Sequence, residues 1–387
     1  MTVTAYLDHA GLGLLRPAPA AAMRAALDDV LPHGSAAIGP LFSTRPAARR
    51  SFARLLSCTP EEIALVPNTS TGVHLVADGL DWHRGDRVTV FDRDFPANVR
   101  PWQNLARHGV SLDWVPQRDG GYALDDIAAA IGPDTRLIAV SHVNFATGFR
   151  CDLDQICALA AEVGALVFVD AVQSLGVLPL SVAETPIDFL AAGAHKWLGA
   201  PPGTGMFYGR AGRLDLLRSV PSGWFGFDGA ADLMKGPGNL RYDLPERSSA
   251  ARVEGGMYDV LGMVGLAAAL TELEEVGIQA VAERALALAR RVREGVRELG
   301  FTLACPESAE EKQRSAITAL RFSDSQAVEL TAKLAAEGVY VSTPDGLVRI
   351  SPHYWTRDEE VDLFLEHLSA LGNPCTVTSS PTLAAGN

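Results

Sequence analysis

Asp170 and the pair His195–Lys196 are the residues whose types and placement point most directly to chemistry. Asp170 ends an apolar run, ALVFVD (165–170). His195–Lys196 follows a second run, FLAAG (189–193), and precedes the Gly/Pro-rich stretch GAPPGTGMFYG. Ligands of open α/β sheets bind beyond the carboxyl ends of strands, which is where both groups are expected. A lysine in that setting can form a Schiff base with a carbonyl. An acidic partner can keep a pyridine nitrogen protonated, so that the ring works as an electron sink. The interval between the two leaves room for one intervening helix and lets two strand ends converge. Taken singly, Asp170 also reads as a helix N-cap and Lys196 as a loop cation.

A second signal is Asn68-Thr69-Ser70-Thr71-Gly72, after the apolar IALV (63–66) and at the start of a helical stretch. A hydroxyl-rich turn there offers N–H groups and a favourable dipole to a phosphate. It is also what an ordinary N-cap looks like.

These residues need a scaffold, and the pattern of the chain supplies one. From residue 60, short apolar runs alternate with helical segments. The runs are IALV, RVTVF (87–91), SLDWV (111–115), RLIAVSHV (136–143), ALVFVD, FLAAG and GTGMFYG (203–209). Helices are expected over 71–80, 97–108, 124–131 and 152–163, after two earlier ones at 16–31 and 46–57. Alternating strands and helices predict βαβ units and an α/β fold with a mostly parallel sheet. Unbroken apolarity suits strands covered on both faces. Residues 257–299 read as one long or broken helix. A second α/β region follows: ITALRF (317–322), a helix at 325–337, VYVS (339–342), LVRISP (347–352) and a closing helix at 357–371. The expected organisation is an N-terminal segment near the site (1–16), a large domain (17–256), a long helix with a smaller α/β C-terminal domain (257–372), and a disordered tail (373–387).

Composition narrows the function classes. The 387 residues are 48% hydrophobic and 20% charged, an ordinary globular balance. The net charge of −13 carries no basic block, which argues against nucleic acid or an anionic membrane as partner. Five cysteines form no CxxC pair and are an odd number for a disulfide framework, so free thiols in a reducing cytosol are expected and no metal site is. The N-terminus has no signal-peptide core and the longest apolar stretch, Val260 to Leu270, is too short for a bilayer. A soluble, cytoplasmic protein is the expectation.

The motifs VPNTSTG, SHVNFATG, VDAVQSLG, AAGAHKWLGAPPGTG and VRISPHY, spread over nearly the whole chain, resemble the class V aminotransferase family. That family includes cysteine desulfurases, kynureninases, isopenicillin N epimerase-like proteins and ergothioneine-type C–S lyases. The resemblance implies the aspartate-aminotransferase fold and pyridoxal 5′-phosphate (PLP) as cofactor. It implies that Lys196 carries the cofactor and later shuttles a proton, and that Asp170 pairs with the pyridinium. Thr69, Ser70 and His195 would approach the phosphate. Phe95, in DFPAN, would stack on the ring, and Gln173 would approach the phenolic oxygen. Asn144 would lie near cofactor or substrate. Trp224, in SGWFG, is similar to a kynureninase tryptophan that reaches the phosphate. Arg349 would grip the substrate carboxylate, which suits a planar guanidinium. A homodimer with sites near the interface is also implied.

Three positions depart from the family pattern. Gly193 stands where a serine is common, so one phosphate hydroxyl is missing and Trp224 is the candidate replacement. Glu254-Gly255-Gly256-Met257 replaces a Gly-Thr that commonly reaches the partner's phosphate. Trp355 replaces an asparagine, suggesting an altered pocket near Arg349.

A desulfurase needs a mobile cysteine before the carboxylate-binding arginine, and EGVYVSTPDGL (337–347) has none. The reading is therefore C–S β-lysis of a cysteine S-conjugate, in specialised metabolite biosynthesis. Epimerisation, transamination, and decarboxylating or oxidative deamination stay open, as does a catalytically silent PLP-fold binding protein. A nicotinamide-dependent dehydrogenase is disfavoured because no G-x-G-x-x-G follows an early strand.

Overall fold

The structure, a computed structural model, describes residues 3–370 apart from residues 31, 219, 221, 222 and 307. The tail from residue 373, with Cys375, lies outside the described residues.

Eleven strands are described: β1 Ala5–Tyr6, β2 Ile63–Val66, β3 Arg87–Phe91, β4 Ser111–Val115, β5 Thr135–Ser141, β6 Leu166–Asp170, β7 Phe189–Gly193, β8 Gly205–Gly209, β9 Thr318–Leu320, β10 Val339–Tyr340 and β11 Val348–Ile350. Seven of them form one sheet in the order β2-β8-β7-β6-β5-β3-β4. All neighbours are parallel except β8, which runs antiparallel to both β7 and β2.

The unbroken apolarity of the central strands has its cause in two cores, one per face. In β5, Ile138 and Val140 enter one core while Leu137 and Ala139 enter the other. In β6, Val167 and Val169 alternate in the same way with Leu166 and Phe168; in β7, Leu190 and Ala192 alternate with Phe189 and Ala191. Side chains of successive strand residues point to opposite faces, so a strand covered on both must be apolar throughout.

The expected helices form at Pro17–Val30, Thr44–Leu56, Thr69–Gly79, Leu124–Ala129 and Leu153–Val163. A further short helix, Ser35–Phe42, was not anticipated. The stretch expected as a helix at 97–108 is only one turn, Arg100–Gln103, flanked by 3-10 turns, because Pro96 and Pro101 remove backbone donors. Turns rather than a full helix link β6 to β7. The long helical stretch is broken: Val260–Val276 and Ile278–Glu298 meet at Gly277, whose φ of +81° favours glycine.

The smaller α/β part has its own core, in which Leu288, Val292, Val348, Ile350 and Phe364 pack together. Ala5 and Leu7 belong to that core too, and β1 pairs parallel with β10. The N-terminal segment is thus stitched into the smaller part, with register that places Asp8 beside Ser351. It then crosses to the large sheet, where Gly13 N–H donates to the His195 carbonyl (2.8 Å). A Cβ at Gly13 would stand 2.0 Å from the Lys196 carbonyl oxygen, so this crossing requires glycine.

Candidate functional site

The carboxyl ends of β5, β6 and β7 bring Ser141, Asp170 and the His195–Lys196 loop together. Asp170 pairs in register with Ser141 on one side and Ala191 on the other. It is 2% exposed. Its Oδ1 accepts from Val172 N–H (2.9 Å), and among the described residues no other donor reaches the carboxylate. Burial pushes its pKa up to about 7; the Val172 bond opposes this, nearby Asp94 adds to it, and Lys196 opposes it.

Lys196 is 9% exposed and its amine makes no hydrogen bond among the described residues. Burial lowers its pKa to about 8, against the pull of Asp170 and with a push from Arg349; Asp8 acts in the same direction as Asp170. Its Nζ lies 5.6 Å from the centroid of the Phe95 ring. Phe95 is 42% exposed, unusual for a large aromatic this close to a buried amine, and its ring meets Phe145 edge-on at 5.2 Å.

Phe95 is placed by a residue that sequence reasoning missed. Asp94 is half-buried and accepts from Ser141 Oγ (2.7 Å), Phe95 N–H (2.7 Å) and Asn98 Nδ2 (3.1 Å). Burial raises its pKa despite these bonds. The adjacent acid in DRDFPAN was the available signal, since charged residues beside a ligand-stacking aromatic must be paired if buried.

On the other flank, Asn68 caps the helix Thr69–Gly79 by accepting from Thr71 N–H (2.9 Å). Thr69 is buried and Ser70 exposed. Gly72 lets the first turn lie on β7; a Cβ there would stand 2.4 Å from that of Ala191. Gly193 N–H donates to Thr69 Oγ1 (2.9 Å). A Cβ at Gly193 would come within 2.8 Å of the His195 ring. The missing hydroxyl at 193 therefore has a local cause: the His195 ring takes that space, beside Thr69. Trp224 is stacked on Phe225 at 3.8 Å with Gly256 beside it.

Gln173 Oε1 accepts from Trp197 Nε1 (2.8 Å) and its Nε2 donates to the Ala10 carbonyl (3.0 Å), which leaves one Nε2 hydrogen open. Asn144 is fully committed. Its Nδ2 donates to Arg93 O and Tyr122 Oη (3.1 Å each), and its Oδ1 accepts from Ala146 and Thr147 N–H (3.0 Å each). In this arrangement it builds the loop that carries Phe145.

Arg349, in β11, is buried with three partners. Nε donates to Ser342 Oγ (3.1 Å), Nη1 to Phe145 O (2.8 Å) and Nη2 to Asp8 Oδ1 (3.0 Å). One N–H on each terminal nitrogen stays open. Ser342 Oγ in turn donates to Asp8 Oδ1 (2.6 Å). Asp8, in YLDHAG, is the second residue missed. Only the N-terminal crossing makes its role visible, because 341 residues separate it from Arg349.

Two of the departures are structural. Glu254 is buried between Arg45 and Arg49 (2.6 Å to Arg49) and also accepts from Leu65 N–H (2.8 Å). Trp355 stacks on His353 at 3.7 Å beneath Arg16, against Gly199, and has no described contact with Arg349. Met257 is exposed.

PLP fits these residues by their own chemistry. A buried amine without a hydrogen bond, a buried carboxylate with an open oxygen, an exposed aromatic ring and a helix N-terminus with a threonine hydroxyl lie at the same end of the sheet.

Comparisons with known proteins agree. The family model described as Aminotransferase class-V matches residues 43–363. An uncharacterized aminotransferase of Bacillus subtilis, YcbU, is 30% identical over 84% of this chain and 82% of its own length. Isopenicillin N epimerase of Streptomyces clavuligerus is 29% identical over 84% and 83%. A cysteine desulfurase of Klebsiella pneumoniae is 30% identical over 77% and 71%. Among solved structures, the cystine C–S lyase C-DES superposes with a TM-score of 0.85 at 24% identity, covering 95% of this chain and 98% of that one, a likeness of fold.

Proposed function

Because this chain belongs to the class V aminotransferase family and is a PLP-dependent enzyme of that family, we propose that it is a C–S β-lyase acting on a cysteine S-conjugate. The observation that carries the proposal is the pairing of a free, buried Lys196 amine with an arginine site that has no thiol. The turn running up to Arg349 puts Ser342, not a cysteine, on the guanidinium. Cys58, Cys151 and Cys157 are poor nucleophiles: burial pushes Cys58 and Cys157 up to about 12 and Cys151 higher still.

When bound, PLP supplies an electrophilic carbonyl and a sink for charge developing at the substrate Cα. Lys196 would hold it, with Asp170 at the ring nitrogen, Phe95 over the ring face, Gln173 at the phenolic oxygen, and Thr69, Ser70 and His195 at the phosphate. Arg349 offers its two open N–H groups to the substrate carboxylate, a planar two-point grip. Lys196 Nζ, with its proton affinity lowered by burial, takes the Cα proton near neutral pH. A thiolate then leaves Cβ without any enzyme sulfur taking part.

The test is product analysis of the holoenzyme with cysteine and a panel of cysteine thioethers. The proposal expects thiol, pyruvate and ammonia from a thioether. Alanine with enzyme-bound sulfur would mark the desulfurase reaction instead, and unchanged amino acids with racemised Cα would mark an epimerase. The homodimer belongs to this reading as well, and sedimentation of the holoenzyme tests it.

A further inference from the structure

Asp94 stands beside the candidate site with hydrogen bonds but no counter-charge. Its Oδ1 accepts from Phe95 N–H and Ser141 Oγ, and its Oδ2 accepts from Asn98 Nδ2. All three donors are neutral. Among the described residues no cation pairs with it, and its neighbour in sequence, Arg93, is tied to Asp345 instead (2.9 Å). Glu254, an acid that serves the fold, has two arginines.

Two lines of contact anchor Asp94 to Asp170. Asn98 is fully buried and accepts from Trp102 Nε1 (3.4 Å). Trp102 in turn meets Phe168 of β6 edge-on at 5.6 Å. Phe168 stands two residues before Asp170, on the same face of that strand. The second line is shorter. Ser141 pairs in register with Asp170 across β5 and β6, so the two side chains leave the sheet on one face as neighbours. The hydroxyl that reaches Asp94 thus comes from the residue beside Asp170.

Like charges brought together away from water oppose each other's ionisation. Burial pushes Asp170 up to about 7 against the Val172 bond, and the Asp94 charge adds to that push while Lys196 works against it. For Asp94 itself burial raises the pKa, and the donated hydrogen bonds favour the anion. An asparagine would accept from Phe95 and Ser141 equally well, so packing alone does not call for a second acid. Arg349 is matched by Asp8. Asp94 and Asp170 against Lys196 therefore leave an excess of negative charge at this end of the sheet. A cationic ring nitrogen offsets it, and PLP carries that group.

We propose that Asp94 is a positioning residue for the reaction: held by Ser141 beside Asp170, its carboxylate is the second negative charge that keeps the cofactor's ring nitrogen a cation. Asp170 is the group at the nitrogen, and Asp94 acts from behind it. This role rests on PLP as cofactor and not on which bond of the substrate breaks, so product analysis that fails to find C–S lysis leaves it standing.

The test compares two ligands of the full-length apoprotein: PLP, and an analogue whose ring nitrogen is replaced by C–H and so cannot carry the ring charge. Absorbance titration gives both dissociation constants without turnover. The parent should prefer PLP. Asp94→Asn keeps the acceptor for Phe95 and Ser141 and removes the charge. It should lower the preference for PLP over the analogue about tenfold or more, the lower end of what one nearby charge does to a proton equilibrium. Asp94→Glu keeps the charge and should retain most of the preference. Should Asp94→Asn fail to fold, Asp94→Ser removes the same charge without setting an amide against Asn98, and the same loss is expected. A residue that serves only the fold would affect both ligands alike. A preference in the uncharged variant equal to that of the parent overturns the proposal, whether both ligands are weakened together or neither is.

Discussion

At Glu254 the chain buries a carboxylate between Arg45 and Arg49 and adds Leu65 N–H. At Asp170 it buries a carboxylate with one backbone donor, and near it a lysine amine with no hydrogen bond. Both positions are almost fully shielded from water. The first has every partner a buried acid needs, and it ties the helix Thr44–Leu56 and β2 to the segment around residue 254. The second withholds partners, and a fold tolerates that cost where something else is to be bound. Burial alone does not distinguish structure from site. The balance of donors and acceptors does.

That contrast breaks if the two regions respond alike to substitution. The largest effect is expected at Lys196. Lys196→Ala should lower turnover by at least roughly 10²–10⁴-fold, the range for a lost proton-transfer group, and should prevent borohydride from fixing the cofactor to the chain. Its unfolding curve in urea should change little. Multiple turnovers retained at an undiminished rate would remove Lys196 from the mechanism. Glu254→Ala should do the reverse. Stranding Arg45 and Arg49 in the interior should cost about 3–5 kcal/mol of folding stability, read from the urea midpoint. The folded fraction should still take up the cofactor. A loss below about 1 kcal/mol would show that Glu254 is no more than a surface-type ion pair.

A smaller effect sharpens the comparison at Arg349, which stands between the two extremes with three partners and two open N–H groups. Asp8→Ala should raise the KM for the amino-acid substrate about tenfold, since a hydrogen bond to a charged group then no longer orients the guanidinium. Asp8→Asn keeps an acceptor and should restore most of the loss. If all three proteins share one KM while melting at different temperatures, Asp8 serves the fold and not the substrate.

Which parts of this were legible in the sequence follows from the range of the interactions. The strands β5, β6 and β7 were readable because two-sided burial writes itself as an unbroken apolar run. The placement of Asp170 and Lys196 at strand ends was readable because each follows such a run directly. Asp8 was not, because its partners Arg349 and Ser342 lie at the other end of the chain and only the pairing of β1 with β10 joins them. Gly193 was read as a missing hydroxyl; the His195 ring that fills the space is a matter of rotamer, which no pattern records. Trp224 and Trp355 were given pocket roles by resemblance. Trp224 stacks on Phe225, and Trp355 meets His9, His353, Tyr354 and Arg16, neighbours that lie far off in sequence or in a turn and that no local pattern records.

The smallest effect concerns pH and the apoprotein. Lys196 has its pKa lowered from 10.5 to about 8 by burial. Between those values the unfolded chain holds the proton and the folded chain has released it. The unfolded state therefore binds more protons, and stability rises with pH across that window. Below about 8 both states are protonated and the whole cost of the buried ammonium is present. Apoprotein carrying Lys196→Met should lose this rise between pH 8 and 10.5, whereas Glu254→Gln should keep it. Thermal melts of the three apoproteins across that range decide the point. Buried Cys58, Cys151 and Cys157, whose pKa values are raised, act in the opposite direction in the same range, so the comparison with Lys196→Met is what reports on the amine. A parent whose melting temperature follows that of Lys196→Met across the window would mean that the amine finds a partner in the empty site after all, and the distinction between an unsatisfied site and a satisfied scaffold would fail where it is most exposed to test.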